Sequence, residues 1–286
     1  MNHKLLALFG LKWNPFCADV PIDALWRSPK IEHFCWRMES LVREGGFALI
    51  TGDPGTGKSA ALRRLAHHLN GLPDVLTGVL TRPQSGLADF YREMGHLFGV
   101  ALKPHNRWAG FKVLRDAWLT HVEATRCRPV LLIDEAQEMP AAVLAEMRIL
   151  ASADFDSRCL LTVVLAGDAR LTQQFRRDEL LPIASRIRVR LTLDYLQPQQ
   201  LHDALRHALT EAGNPHLITP EVMGTLTQHA AGNLRVLATM ANDLLAIAAR
   251  RELAQIDQKL YFELFDDSPP RGKARGHAAA AQLARS

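Results

Sequence analysis

The sequence predicts an α/β fold in which a five-stranded parallel sheet is followed by a small all-α domain. Three observations carry this prediction. A glycine-rich stretch, 52–59, stands between a short apolar run and a helical repeat. Strand-like and helix-like segments then alternate as far as residue 195, which is typical of a parallel sheet covered on both faces. After residue 195 only helical patterns follow.

The N-terminal segment and its helix form the first predicted unit, 1–46. Aromatic and proline residues punctuate residues 1–26, and their irregular spacing predicts no regular element there. Ser28 then supplies a helix cap, and Pro29 occupies the first helical position. These two residues predict a helix that ends at about Arg43.

The second predicted unit, 47–195, contains the sheet. Strands are predicted from short apolar runs rich in β-forming residues, and helices from apolar residues that recur every three or four positions. The predicted strands are 47–51, 75–80, 129–133, 160–166 and 187–193, and the predicted helices are 58–70, 86–98, 108–125, 140–151 and about 169–177.

The third predicted unit, 196–267, is a helical lid domain, for which the sequence predicts helices at 198–212, 220–229, 234–250 and 257–264. The tail, 268–286, is basic and has too few large apolar residues to bury a core. We therefore expect a disordered tail.

Composition predicts a soluble globular protein, since 48% of the residues are apolar and 22% are charged. The four cysteines lie far apart without metal-ligand spacing, which is typical of reduced thiols. There is neither a signal-peptide pattern nor an apolar run of 18 residues, so a cytoplasmic location is expected.

The net charge of +4 is weak evidence for a nucleic-acid partner. Four of the 34 Lys and Arg residues lie in the last sixteen positions, which contain no acid. The rest of the chain therefore balances thirty basic residues against 30 acidic ones. Charge alone does not predict strong attraction to DNA.

The stretch 52–59 has the pattern G-x-x-x-x-G-K-S in the context of a phosphate-binding P-loop. Its glycines let backbone N–H groups turn toward phosphates at a helix N-terminus. Lys58 would reach the β- and γ-phosphates of ATP, and the Ser59 hydroxyl would hold Mg²⁺. The predicted nucleotide-binding residues here are Gly52, Asp53, Pro54, Gly55, Thr56, Gly57, Lys58, Ser59 and Ala60.

An apolar run, 130–133, ends in Asp134 and Glu135, which is the Walker B pattern. Asp134 would hold Mg²⁺ through water, and Glu135 would orient and activate the attacking water. In isolation the same residues describe a strand that ends in a polar turn. The P-loop upstream favours the catalytic interpretation.

Two further catalytic candidates each have a plainer alternative. Asp168 follows the fourth strand, where a polar residue can sense the γ-phosphate, but it can equally cap the next helix. Arg186 precedes the fifth strand, and an arginine there can complete the active site of an adjacent subunit as an arginine finger. The alternative for Arg186 is an exposed charge at the edge of a strand.

Arg235 stands on the first turn of the long lid helix, within the tetrapeptide Gly-Asn-Leu-Arg. From there it can point back at the γ-phosphate, which would make the position of the lid depend on the nucleotide. The tetrapeptide alone is weak evidence for such a phosphate contact. Its position after an α/β unit strengthens the evidence.

The densest basic and aromatic stretch outside the tail is 103–115. Lys103, Arg107 and Lys112 are candidates for contacts with a DNA backbone. A solvated helix face is the more usual explanation of such a stretch.

These motifs and their order resemble an AAA+ ATPase. More narrowly, the chain resembles the ExeA-like family, the ATPase domain of general secretion pathway protein A, which is related to the transposition ATPases TniB, TnsC and MuB. The resemblance covers about residues 5–265. The matching stretches are 9–11, 15–16, 51–59, 131–137, 165–171, 212–213, 232–235 and 256–257.

The resemblance implies an AAA+ P-loop NTPase that uses ATP and Mg²⁺, forms a homo-oligomer (a ring or a helical filament) on double-stranded DNA, and recruits a transposase to its target. The charged Asp168 departs from the uncharged polar sensor typical of AAA+ proteins. Secretion members continue into a membrane span that this chain lacks, which favours the transposition accessory role. The alternatives are an ATPase for secretion-system assembly and a nucleotide-dependent signalling switch without DNA.

Overall fold

The computed structural model describes residues 2–101, 107–153 and 158–265. The predicted DNA contact at Lys103 and the predicted disordered tail, 268–286, lie outside these residues. Within the described ranges, none of the helices is long and apolar enough to cross a bilayer.

The strands confirm the predicted five-stranded parallel sheet. The strands are β1 (Gly46–Gly52), β2 (Val75–Leu80), β3 (Arg128–Ile133), β4 (Ser152–Ala153), β5 (Arg158–Cys159), β6 (Thr162–Gly167) and β7 (Ile187–Leu193). The order in the parallel sheet is β2-β3-β6-β1-β7, so β1 lies between two strands that come much later in the chain. A two-stranded antiparallel pair, β4 and β5, was not predicted.

The helices follow the predicted pattern over most of the chain. Two short 3₁₀ turns, Ile22–Ala24 and Ala136–Glu138, add to them. The α-helices are α1 (Asn2–Phe9), α2 (Pro29–Glu44), α3 (Lys58–Asn70), α4 (Leu87–Leu97), α5 (Arg107–Thr125), α6 (Ala141–Ala151), α7 (Ala169–Gln174), α8 (Leu181–Ala184), α9 (Pro198–Ala212), α10 (Pro220–His229), α11 (Leu234–Arg250) and α12 (Gln258–Phe265).

The prediction that residues 1–26 contain no regular element was wrong. Helix α1 spans Asn2–Phe9, and Phe9 and Leu11 are buried in the same apolar cluster as the lid helices. The backbone N–H of Lys12 donates to the Ala212 carbonyl at 2.8 Å. An isolated helix of eight residues is marginal in water, so α1 owes its stability to this packing.

Helices cover both faces of the sheet because successive side chains of each strand point to opposite sides. In β1, Phe47 and Leu49 join the core formed with α4, α5 and α6. Ala48 and Ile50 join the core formed with α2 and α3. The sheet is thus buried on both faces. A polar site can therefore form where the strands begin or end, which we call the amino edge and the carboxyl edge of the sheet.

The registers bring the carboxyl ends of the central strands to one edge of the sheet. Thr51 in β1 pairs with Gly167 in β6, and Ile133 in β3 pairs with Leu165 in β6. In open α/β sheets, ligands bind outside the carboxyl ends of the strands, where the strand order reverses. The P-loop follows β1 at this edge.

Candidate nucleotide-binding site

The P-loop connects β1 to α3 in a conformation that requires glycine. Gly55 and Gly57 have φ angles of +86° and +98°, in the left-handed region that side chains disfavour. A Cβ atom on Gly52 would lie 2.5 Å from the Leu193 carbonyl oxygen. The loop is therefore packed too closely for larger residues at these positions.

Lys58, the first residue of α3, is only 7% exposed. Its Nζ atom donates to the carbonyl oxygens of Gly52 and Asp53, at 2.9 Å and 3.2 Å. Thr56 also donates to the Asp53 carbonyl, at 2.8 Å. No carboxylate among the described residues pairs with Lys58, so this ammonium group is held by neutral oxygens alone. A buried cation in this state favours an anionic ligand.

The two predicted Mg²⁺ ligands lie on elements that meet at the carboxyl edge. Ser59 is exposed on the first turn of α3, and Asp134 is half-buried directly after β3. A hydroxyl and a carboxylate suit Mg²⁺, which prefers oxygen ligands and completes its shell with water and phosphate oxygens. These residues fit such an ion, whose chemistry would be to neutralise charge on the phosphates.

Glu135 is exposed and has a positive φ angle of +51°. Its backbone N–H donates to Asp134 Oδ1 at 2.9 Å. Its side chain accepts a hydrogen bond from Gln137 Nε2. The sequence analysis included Gln137 in the matching stretch 131–137 but gave it no role, although this buried polar residue lies only two positions from Glu135.

Asp168 caps α7, as the plainer alternative predicted. Its Oδ1 atom accepts from the Arg170 backbone N–H at 2.8 Å, and its Oδ2 atom accepts from Arg170 Nε at 2.9 Å. The hydrogen bond with Asp168 raises the pKa of the Arg170 guanidinium. Both carboxylate oxygens are therefore engaged within the same turn, and a sensor role for Asp168 stays a prediction.

Arg186 lies at the opposite edge of the sheet from the P-loop. Its neighbour Ile187 pairs with Phe47 near the start of β1, whereas Leu193 pairs with Gly52 at the end. Six residue steps along a strand separate these edges by roughly 20 Å. Arg186 lines a cavity of about 350 Å³ together with Arg148, Arg158 and Arg188. The side chain therefore cannot reach the P-loop of its own subunit.

The lid touches the P-loop through Asn233, a residue that the sequence analysis did not select. Asn233 Oδ1 caps α11 by accepting from the N–H groups of Arg235 and Val236, at 3.0 Å and 3.2 Å. Its Nδ2 atom donates to the Pro54 carbonyl at 3.1 Å. A Cβ atom on Gly55 would collide with Asn233. The predicted Arg235 is exposed on the first turn of α11, without an ion pair among the described residues.

Sequence reasoning also missed a cavity that several separate elements form beside the P-loop. An apolar cavity of about 370 Å³ opens beside the P-loop, a size suited to a small organic ligand. Its walls come from four separated parts of the chain: the segment before α2, the first turn of α3, the end of β7 and the lid. The lining includes Pro15, Phe16, Val20, Trp26, Thr56, Gly57, Ala60, Leu193, Tyr195, Ala204, Leu234 and Leu237.

The N-terminal wall of this cavity is fastened to α3. Arg63 donates to the carbonyl oxygens of Ala18 and Val20, both at 2.7 Å. At its other end, the segment reaches the lid through a hydrogen bond of 2.9 Å from Asn14 to Asn242. The segment thus links the α/β region to the lid along one side of the cleft.

The described part of the predicted DNA-binding stretch belongs to α5. Leu114 and Trp118 are buried against the core, whereas Lys112 is exposed. Arg107 is the first residue of this helix. The Arg115 guanidinium lies over the Phe111 ring, 5.6 Å from its centroid. The helix therefore turns one face to the core and presents Lys112 on the outside.

Comparison with known proteins identifies the kind of domain. A family model described as an AAA domain matches residues 42–175. The chain is 30% identical over 251 residues to general secretion pathway protein A of Aeromonas hydrophila, and the match covers 85% of this chain and 44% of that protein. The chain thus spans less than half the length of this curated relative.

Solved structures share the fold at low sequence identity. The Aeropyrum pernix ORC1 protein in complex with DNA has a TM-score of 0.65 and 20% identity, over 92% of this chain and 68% of that chain. The Aeropyrum pernix ORC2 protein has a TM-score of 0.68 and 13% identity, over 90% and 72% of the two chains. Together with the AAA-domain match over residues 42–175 and the geometry of the P-loop, this fold indicates a P-loop ATPase domain of the AAA+ type.

Proposed function

We propose that this ATPase forms a homo-oligomer with ATP, binds double-stranded DNA without strong sequence preference, and directs a transposase to its target. The observation that carries the proposal is the position of Arg186 at the edge of the sheet opposite the P-loop. An arginine finger at that position would serve the nucleotide of a neighbouring copy. Hydrolysis would then depend on assembly.

In the proposed active site, residues 52–60 hold ATP, with Lys58 at the β- and γ-phosphates. Ser59 and Asp134 hold Mg²⁺, and Glu135 orients the attacking water. The apolar cavity next to Ala60 accepts the nucleoside. Arg235, on the first turn of α11, completes the γ-phosphate contacts when the lid closes.

The DNA interface in this proposal is formed by Lys103, Arg107 and Lys112. One subunit offers few cations, and oligomerisation would line them along the duplex, so that weak contacts add through effective concentration. DNA in the ORC1 structure of the same fold supports this class of partner. The transposase rests on the resemblance to transposition ATPases, and the proposed cytoplasmic location rests on the sequence pattern.

A salt titration of DNA affinity with ATP, with ADP and without nucleotide tests this function. We expect tight binding only with ATP, and an affinity that falls with a logarithmic slope of about −0.9 per phosphate neutralised. Equal affinity in all three states would contradict the ATP switch. No binding with ATP at low salt would contradict the DNA partner.

A secretion-assembly ATPase is the second candidate, favoured by the 30% identity to general secretion pathway protein A. In that function the ATP-bound oligomer engages envelope proteins and has no use for DNA. Pull-down with a purified transposase and with secretion-system components, in ATP and in ADP, separates the two candidates. ATP-dependent capture of the transposase alone supports the first.

A further inference from the structure

Gln137 is a buried polar residue that joins two strand ends beneath Glu135. Its side chain is only 5% exposed. It lies in the 3₁₀ turn Ala136–Glu138, directly after β3. The positive φ angle of Glu135 turns the chain back, so that residue 137 returns toward the glutamate.

Both ends of the Gln137 side-chain amide are engaged. Nε2 donates to Glu135 Oε2. Oε1 accepts from the backbone N–H of Asp168 at 3.3 Å. A carboxylate only accepts and a backbone N–H only donates, so these partners fix the orientation of the amide. Gln137 therefore connects Glu135 to the end of β6.

Two neighbouring elements, β6 and α7, keep the turn that contains Gln137 in place. A Cβ atom on Gly167, the last residue of β6, would lie 2.6 Å from Gln137 Oε1, so a larger residue there would displace the amide. The Gln137 carbonyl accepts from Gln174 Nε2 of α7 at 2.9 Å. The turn is thus anchored on α7 as well as on β6.

We propose that Gln137 is a positioning residue for Glu135, which holds one carboxylate oxygen and leaves the other to orient the attacking water. This inference rests on the proposed catalytic role of Glu135. Oε1 of Glu135 has no partner among the described residues, and the side chain is exposed. Without the amide, an exposed glutamate rotates freely, and a poorly oriented base loses much of its effect.

The first test replaces Gln137 with methionine, which has a similar length and cannot donate to Glu135. We expect kcat for ATP hydrolysis to fall about 10- to 100-fold, while KM and the affinity for ATP change less than about twofold, because the base is misplaced and the P-loop is intact. Gln174→Met is the matched control. It removes the hydrogen bond to the Gln137 carbonyl and leaves the side chain of Gln137 in place.

The second test is Gln137→Glu, measured as a function of pH. The introduced carboxyl keeps an acceptor for the Asp168 N–H but, when ionised, repels Glu135. When protonated it regains an O–H donor, so we expect the ratio of variant to wild-type kcat to rise as the pH falls from about 8 to about 6. A merely structural defect would leave that ratio flat.

Three results would overturn the inference: a Gln137→Met kcat within about twofold of wild type, equal losses of kcat in Gln137→Met and Gln174→Met, or a flat pH ratio for Gln137→Glu. Glu135→Gln is measured beside them. If that variant hydrolyses ATP normally, the catalytic role of Glu135 fails and the inference fails with it. If Glu135→Gln is inactive while Gln137→Met is normal, the inference alone fails.

Discussion

The carboxyl and amino edges of the sheet, where its strands end and begin, present different side chains. At the carboxyl edge, glycine turns and the buried cation Lys58 form a cradle for phosphates, with Asp134 and Glu135 next to it. At the amino edge, Arg186 lines a cavity together with three other arginines. The first edge can bind a nucleotide, and the second can supply charge to one. Since a strand length separates them, the proposed arginine finger would act on the nucleotide of a second copy of the chain.

The largest expected effect comes from the carboxyl edge itself. Lys58→Ala removes the buried cation that faces the phosphates and should abolish ATP binding, whereas Glu135→Gln should bind ATP normally and lower kcat about 100- to 1,000-fold. Filter binding and phosphate release measure the two effects. Lys259→Ala, a change of an exposed lysine on α12, is the matched control for Lys58→Ala.

Normal hydrolysis in Glu135→Gln would contradict the catalytic role proposed for the carboxyl edge. The carboxyl edge would then bind nucleotide without supplying the base. ATP binding by Lys58→Ala at wild-type affinity would remove Lys58 from the phosphate site.

The amino edge should show the next largest effect. Arg186→Ala should bind ATP yet hydrolyse it about 100- to 1,000-fold more slowly, because an arginine finger acts on the transition state. Mixing it with Lys58→Ala protein should restore part of the activity, since some interfaces then pair an intact P-loop with an intact Arg186. Steady-state phosphate release from mixed samples measures this recovery.

Arg190→Ala is the matched control for Arg186→Ala. Arg190 is exposed on β7, two residues after Arg188. Its guanidinium donates to the Ala184 carbonyl at 3.4 Å. We expect it to hydrolyse ATP at the wild-type rate. Co-assembled mixtures that stay inactive would contradict an arginine that acts between subunits.

The lid extends the comparison because it contacts the P-loop at the carboxyl edge, where the Asn233 amide donates to the Pro54 carbonyl. Asn233→Ala removes both the cap of α11 and the P-loop contact, and should lower the free energy of unfolding by about 1 kcal/mol. Asn233→Ser keeps a capping oxygen and loses the amide donor. We therefore expect both variants to bind ATP about five- to tenfold more weakly, and only the alanine variant to lose stability.

Thermal unfolding and ATP titration separate these two roles. If Asn233→Ser binds ATP as tightly as wild type, the contact with Pro54 does not contribute to the site. The lid would then act on the nucleotide through the apolar cavity alone.

Much of this arrangement was predictable from local sequence. Strand and helix patterns gave the parallel sheet, and Gly52 to Ser59 are adjacent in the chain, so their spacing alone predicts a phosphate loop. Asn233 and Pro54 are 179 positions apart, and Gln137 and Asp168 are 31 apart. No local pattern reports such contacts, because packing of separate elements creates them. Helix α1 was missed for the same reason, since packing on the lid helices stabilises it.

The smallest expected effect concerns α5, which lies outside both edges. Changing Lys103, Arg107 and Lys112 to alanine should weaken binding to all DNA sequences alike, because phosphate contacts carry no sequence information. The slope of log affinity against log salt concentration should become shallower by up to about 0.9 for each phosphate that is no longer neutralised, because counterion release dominates such binding. ATP hydrolysis without DNA should stay near wild type, since neither edge of the sheet is touched. Lys259→Ala again serves as the charge-matched control for a single substitution, Lys112→Ala. Fluorescence anisotropy with two unrelated DNA duplexes over a range of salt concentrations measures this slope. An unchanged slope in the triple variant would place the DNA interface elsewhere on the oligomer.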